Sequence, residues 1–309
     1  IYQTKNEPQQ YLAYIESIGK GGMKTEDEKE VMIFNAAEQV FLSENYKKAL
    51  VSLQSYVDTY PSGKSVYKAN FYMAESYRAL DMKEQACDCY EIVIEGGTSA
   101  FVEISMLNYS ALSYKLERWD DALKGYASLY GAAKLPNNSY LAMLGQMRSA
   151  FRGHEWATAI EWAGKTMFAE ESAGEIKREA SYIKAKSLLA VSRRGEAMTA
   201  LDSLAKDKND AYGAEAAYML ILDSYDRGEF TDVENKVYAF SDSASGQMYW
   251  LAKSFIVLGD SFADRGELKQ AKATFESIKE GYAGNADEDD VLEGVELRLQ
   301  KLDALMNKN

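Results

Sequence analysis

The stretch FNAAEQVFLSENYKKALVSLQSYVDTYPSGKSVYKANFYMAESY, from Phe34 to Tyr77, decides the fold. Within it Ala37 faces one helix, Ala49, Leu53 and Tyr56 face a second, Pro61 breaks the chain, and Ala74 starts the first pattern again. Working outward, the position held by Ala49 recurs as Ala86, Ala122, Ala159, Ala197, Val233 and Ala271, in steps of 37, 36, 37, 38, 36 and 38 residues. A period of that size, kept over most of a chain, marks a stacked repeat array and not a single globular core. The functional question therefore becomes which surface binds what.

Each of these anchors has a small residue 12 positions earlier: Ala37, Ala74, Ser110, Ala185 and Gly259, with Met147 and Ile221 as exceptions. Paired small residues let two helix backbones approach closely. Four residues after the anchor stand Leu53, Tyr90, Tyr126, Leu201, Val237 and Phe275, and seven after it Tyr56, Val93, Leu129, Leu204, Phe240 and Ile278. In the fourth unit Ala163 and Thr166 fill these places weakly. Offsets of 0, 4 and 7 lie on one helical face. Each unit is thus a first helix, a tight turn and a second helix.

Gly153, Gly195, Gly228 and Gly266 fall where first helices should stop, and are expected as left-handed terminal glycines. Tyr60-Pro61-Ser62-Gly63, Gly96-Gly97-Thr98-Ser99 and Pro136-Asn137-Asn138-Ser139 read as loops between units. In the fourth unit Gly145 sits two residues too early for the small position. An acidic run, Asp287-Glu288-Asp289-Asp290, leads to a last amphipathic helix, with Val291, Val295, Leu299, Leu302 and Met306 on one side, expected to cap the array.

Composition agrees. Only 3 prolines interrupt 309 residues, leaving helix formers uninterrupted over long runs. A net charge of −13 opposes a phosphate-backbone partner, so no nucleic acid is expected. No apolar run approaches the roughly 18–20 residues that span a bilayer. The chain begins Ile1-Tyr2-Gln3, without an initiator Met or signal peptide, and is expected to be a piece of something longer.

The small-x-x-aromatic pattern of the first helices, the anchor alanine and the proline near a unit's end resemble the tetratricopeptide repeat. The first unit (Ala37, Val40, Ala49, Leu53, Tyr56, Pro61), the second (Ala74, Tyr77, Ala86, Tyr90) and the seventh (Leu258, Gly259, Phe262, Ala271, Phe275, Ile278) carry it best, while the fourth to sixth are degenerate. Phe34–Tyr77 looks like the envelope modules of Gram-negative bacteria of the Tol–Pal and outer-membrane assembly lipoprotein type. Tyr249–Tyr282 resembles the C-terminal part of long tetratricopeptide proteins of Bacteroidetes. The resemblance implies an all-α, right-handed α-solenoid of about seven helix pairs plus a C-terminal capping helix. It also implies an exported protein, periplasmic or outer-membrane-associated, with a cytoplasmic location as the alternative. The expected divisions are an N-terminal extension with a Gly-rich hinge (1–29), repeats at about 30–65, 66–98, 99–137, 138–173, 174–209, 210–245 and 246–286, and a loop with cap (287–309).

Catalytic chemistry finds little to work with. His154 is the one histidine, expected at a helix end, so no histidine zinc site or imidazole-based triad can be assembled. Cys87 and Cys89 lie two apart on a helix and point away from each other; they read as a half-buried thiol and a neighbour, neither bridged nor metal-bound. Gly19-Lys20-Gly21-Gly22 lacks the spacing of a phosphate loop, Glu170-Glu171 reads as solvated surface, and the Asp287–Asp290 run lacks the calcium-loop pattern. No enzyme, cofactor or metal is expected.

The first helices should line the concave face. Residues 15 before the anchor (Phe34, Phe71, Leu107, Leu144, Tyr182, Tyr218, Ile256) are expected to be mainly core. Those 11 before (Glu38, Glu75, Ala111, Arg148, Lys186, Leu222, Asp260) and 8 before (Phe41, Arg78, Tyr114, Phe151, Leu189, Tyr225, Ala263) are expected to be more exposed. Glu38, Phe41, Glu75, Arg78, Tyr114, Arg148, Phe151, Lys186 and Tyr225 are the candidate contacts for a peptide or helix of a protein partner. The Lys/Asn/Arg carboxylate clamp of chaperone-binding members is not expected, because Phe34, Glu38, Phe71 and Glu75 take its places. The alternatives are a self-associating spacer and a peptidoglycan- or glycan-binding protein stacking sugars on exposed Trp119, Trp156 and Trp162.

Overall fold

The computed structural model of the chain describes residues 8–20, 22, 24–97, 100–243, 246–283 and 290–307, and these form helices and no strand. The chain divides into two compact units, residues 1–155 and 156–309. The first holds α1 (Pro8–Ser17), α2 (Glu26–Leu42), α3 (Tyr46–Thr59), α4 (Val66–Ala79), α5 (Lys83–Glu95), α6 (Val102–Lys115), α7 (Trp119–Ala132) and α8 (Pro136–Arg152). The second holds α9 (Trp156–Phe168), α10 (Gly174–Ala190), α11 (Arg194–Leu204), α12 (Ala211–Asp226), α13 (Phe230–Ser243), α14 (Met248–Asp264), α15 (Leu268–Gly281) and α16 (Val291–Met306).

Inside each unit the packing is that of stacked hairpins. In the first, α2 pairs with α3, α4 with α5 and α6 with α7, while the first helices touch as α2–α4 and α6–α8. In the second, α10–α11, α12–α13 and α14–α15 are the pairs, and α10–α12, α12–α14 and α14–α16 are the touching first helices. The last helix, α16, therefore takes the place of another first helix and buries Val291, Val295 and Leu302 on α14 and α15.

The anchor ladder is the seam. Ala49, Ala86, Ala122, Ala159, Ala197, Val233 and Ala271 are all 0% exposed, so no larger side chain fits there without moving a backbone. The residues four and seven later are buried with them, including the weak pair Ala163 and Thr166.

The turn inside the hairpins repeats as regularly as the seam. Five residues before each anchor the backbone is left-handed: Glu44 (φ 59°), Asp81 (58°), Glu117 (58°), His154 (63°), Ser192 (61°), Gly228 (71°) and Gly266 (77°). At six of the seven the following N–H closes back on the first helix, as Met82 to the Tyr77 carbonyl at 2.9 Å and Glu229 to that of Ser224 at 2.9 Å. That six-to-one closure is the Schellman ending. Only two of these residues are glycine, so the hydrogen-bonded turn imposes the conformation on residues that otherwise disfavour it.

This corrects two expected turn glycines. Gly153 has φ −82° and hands the left-handed position to His154. Gly195 lies inside α11, and Ser192 turns the chain instead. Pro136–Ser139 is likewise not a loop: Pro136 is the first residue of α8, where its missing N–H costs nothing. The early Gly145 also has its reason, because a Cβ there would lie 2.4 Å from the Tyr126 ring of the preceding second helix. Both Cys87 and Cys89 are free and buried, so neither is the half-exposed thiol expected; burial raises both thiols, Cys89 to about 12. Gly21, Thr98, Ser99 and residues 287–289 lie outside the described residues.

Candidate interaction surface

The face expected to meet a partner is built by the last two turns of the first helices. All seven residues 11 positions before the anchor are half-buried, and so are those 8 before it except the exposed Arg78. These two rows are therefore more exposed than the row 15 before the anchor, as expected, but half-buried and not open to solvent. The expected core row is mixed: Phe34, Leu144 and Ile256 are buried, while Phe71, Leu107, Tyr182 and Tyr218 are half-buried.

The charged candidates in this row are already engaged. The Glu38 carboxylate takes Lys68 Nζ at 2.6 Å and accepts from Tyr72 Oη at 2.8 Å, both on the next first helix. Burial alone would raise that carboxyl, but the hydrogen bonds from Lys68 and Tyr72 outweigh it and hold it below its usual value. Phe41 stacks on the same Tyr72, with centroids 4.3 Å apart and planes at 18°. Glu75 binds Arg78 and Tyr90 Oη, and accepts from Asn108 Nδ2 at 2.9 Å. Tyr90 is therefore pushed well above the ordinary phenol range, first by burial and then by the carboxylate beside it.

The second unit repeats the device with other residues. Lys186 Nζ lies 2.8 Å from Glu215, which also accepts from Tyr182 Oη at 2.9 Å. Tyr225 Oη donates to Asp264 at 2.6 Å, and Arg298 of α16 grips Asp260 with contacts of 2.8 and 3.0 Å. Each pair ties one first helix to the next. Tyr114 is edge-on to Trp119, centroids 5.0 Å apart, and Arg148 and Phe151 are half-buried in the C-terminal part of α8. The structure thus places Glu38 with Phe41 and Glu75 with Arg78, and it places Lys186 and Tyr225 in the other unit.

The partners Tyr72, Asn108, Glu215, Asp264 and Arg298 were not anticipated. Their signal is a complementary polar residue 29–39 positions downstream, as in Glu38/Tyr72 (34), Lys186/Glu215 (29) and Tyr225/Asp264 (39). A second unanticipated set holds the loops between hairpins. Buried Glu30 accepts from Tyr56 Oη at 2.8 Å and the Lys64 N–H at 2.6 Å, and Glu103 accepts from Asn138 Nδ2 at 2.8 Å. Arg178 reaches Asp210 and the Asp207 carbonyl, the latter at 2.9 Å.

Of the tryptophans expected to be exposed for sugar stacking, none is: Trp119 and Trp156 are half-buried and Trp162 is buried. Trp162 is 8% exposed with Lys165 Nζ 3.6 Å from its ring centre, and Trp119 is half-buried under Arg152, whose guanidinium lies 5.3 Å from its ring. Among the described residues no group of histidine, cysteine or carboxylate side chains is arranged to hold a metal, and no helix is long and apolar enough to cross a membrane.

Residues 68–95, covering most of α4 and all of α5, match the tetratricopeptide repeat family. No curated protein sequence matches the chain. Among solved structures, a tetratricopeptide repeat protein from Parabacteroides merdae ATCC 43184 is 14% identical, with a TM-score of 0.43 over 87% of this chain and 98% of that one. The TPR domain of P58(IPK) is also 14% identical, with a TM-score of 0.32 over 92% of this chain and all of that one. Neither overlap speaks to what this chain binds. The matched segment, the anchor period and the recurring Schellman turn make this chain similar to tetratricopeptide-repeat proteins, a class of generally non-enzymatic scaffolds for protein–protein interaction.

Proposed function

We propose that the chain is a scaffold whose first-helix face receives an extended peptide or a helix of a partner protein. The supporting observation is that Phe41, Tyr114 and Phe151 of the first unit, and separately Tyr225 of the second, are half-buried on first helices whose charged groups, such as Glu38 and Lys186, are held by neighbouring helices. Aromatic side chains held this way give contact area at little entropic cost, because their rotamers are restricted before any partner arrives. The pinned carboxylates also disfavour a partner that binds through its own terminal carboxylate, since Glu38 and Glu75 would repel it.

Selection of random peptides on the full chain, followed by titration, tests this. Selected peptides should lose about tenfold in affinity on Tyr114→Ala or Phe41→Ala, as contacts at the centre of an interface do. No enrichment, or affinities indifferent to both substitutions, would remove the face as the binding surface. The same proposal puts the protein in the periplasm or at the outer membrane, on the resemblance of Phe34–Tyr77 to envelope modules; cell fractionation decides it. The self-associating spacer predicts a mass that grows with concentration in sedimentation.

A further inference from the structure

Every second helix begins three residues before its anchor, and six of the seven run nine or ten residues past it. The exception is α11, which ends at Leu204, seven past Ala197. Beside that shortened end a cleft of about 250 Å³ opens between α11, α12 and α13. Its floor is aliphatic, with Ala217, Leu220 and Ile221 of α12 and Ala239 of α13, and no aromatic ring lines it. Around the floor stand Lys206 and Lys208, just after α11, and Lys236 of α13, with Asp202 as the one lining carboxylate.

Lys236 breaks the pattern of the array. Three residues after the anchor the other hairpins hold Ser52, Cys89, Gly125, Trp162, Ala200 and Thr274, none of them charged. Here the half-buried lysine donates to Ser224 Oγ at 2.8 Å and pairs with Asp232, which also accepts from Ser224 at 2.6 Å. Those contacts fix the ammonium at the cleft wall. Lys206 is exposed, Lys208 is half-buried, and neither makes an ion pair among the described residues. The carboxylate between them in sequence, Asp207, is turned to its own loop, where it accepts from the N–H and Nδ2 of Asn209 at 3.1 and 2.9 Å. The lining thus sets three ammonium groups against the exposed Asp202, in a chain whose net charge is −13.

We propose that this cleft docks an acidic segment of a partner protein, one aliphatic side chain resting on the floor and flanking aspartate or glutamate residues meeting the lysines. The volume suits a single side chain, since a cavity of about 150 Å³ already holds benzene. Small and branched floor residues give apolar contact and no ring to stack on, which favours leucine, isoleucine or valine. The charge of the rest of the chain repels an acidic segment, so the lysines select where it lands. Tyr218, Leu222 and Tyr225, the α12 positions assigned to the first-helix face, do not line the cleft, and the two surfaces are tested separately.

The test uses the full chain with its leucine and isoleucine methyl groups labelled with carbon-13 and three capped peptides, Gly-Asp-Leu-Glu-Gly, Gly-Asn-Leu-Gln-Gly and Gly-Asp-Gly-Glu-Gly. The first should move the Leu220 and Ile221 signals, the second should bind about fivefold more weakly, and the third should leave both signals in place. Replacing Lys206→Ser together with Lys208→Ser breaks no ion pair, so it should erase the preference for the acidic peptide and keep the melting temperature. Ala239→Trp, at an exposed position, fills the cleft and should abolish the movement. Unmoved Leu220 and Ile221 signals with the acidic leucine peptide, equal affinity for its neutral counterpart, or an unchanged preference in the double serine variant would overturn the assignment. Hexanoate moving these signals where the peptide does not would put a small organic acid in the cleft and equally overturn a protein partner.

Discussion

At the scale of single residues, carboxylates and phenols do the joining between hairpins, and this gives the array a pH limit on the alkaline side. Tyr56 is fully buried and its hydroxyl is raised to about 12 from 10.0, first by burial and then by its hydrogen bond to Glu30. Tyr182 and Tyr225 are raised further, by burial together with Glu215 and Asp264 respectively. A phenol raised in the fold is neutral in both states below pH 10, so its stabilising contribution is complete there. Above that the unfolded chain loses the proton first, and stability falls as pH climbs from 10 towards 12. A titration followed by tyrosinate absorbance and far-ultraviolet dichroism should show a subset of the 22 tyrosines ionising only as helix is lost. Uniform ionisation near pH 10 with the helices intact would contradict the burial of these hydroxyls. Tyr56 and Tyr182 were legible as core positions, whereas Tyr225 read as a more exposed partner contact; the carboxylate partners were not legible, because a residue's neighbour in the next hairpin depends on how far the helices slide past each other.

At the scale of helices, close approach is set by where a side chain is missing. Gly145 in α8 admits the Tyr126 ring, and Gly259 in α14 admits Phe275, whose ring atoms would lie 2.4–3.0 Å from an added Cβ. Gly164, by contrast, stands inside α9 with nothing within 4 Å of an added Cβ. Gly145→Ala should therefore destabilise by about 1–3 kcal/mol through overpacking, partly offset by better helix propensity. Gly164→Ala should stabilise by about 0.5–1 kcal/mol. Denaturant midpoints for the two variants read this directly, and a like sign for both would mean that the Tyr126 contact yields freely. The sequence marks Gly145 only as a misplaced small residue. Its role is visible once the Tyr126 ring is seen lying against it.

For the whole molecule, the contacts within each unit run only between successive hairpins, so stability should behave as a sum of local terms. Phe240 is fully buried in α13, and Phe240→Ala should cost about 3–5 kcal/mol. Hydrogen exchange should then speed up in α11 to α15 and stay near parent rates in α2 to α5. Equal loosening throughout would show a single cooperative core instead. What the amino-acid order determined alone was the period: alanine at the anchor, small residues before it and bulky ones after it announce stacked helix pairs, because backbone approach needs a short side chain wherever it recurs. Tertiary structure decided the rest. Which residue turns left-handed depends on the Schellman closure and not on where glycine falls, so Glu117 and His154 turn while Gly153 and Gly195 do not. Which charges are spent and which stay available depends on the crossing of neighbouring first helices. That crossing engages Glu38 and Lys186 and leaves Asp226 exposed, a distinction no spacing along the chain contains.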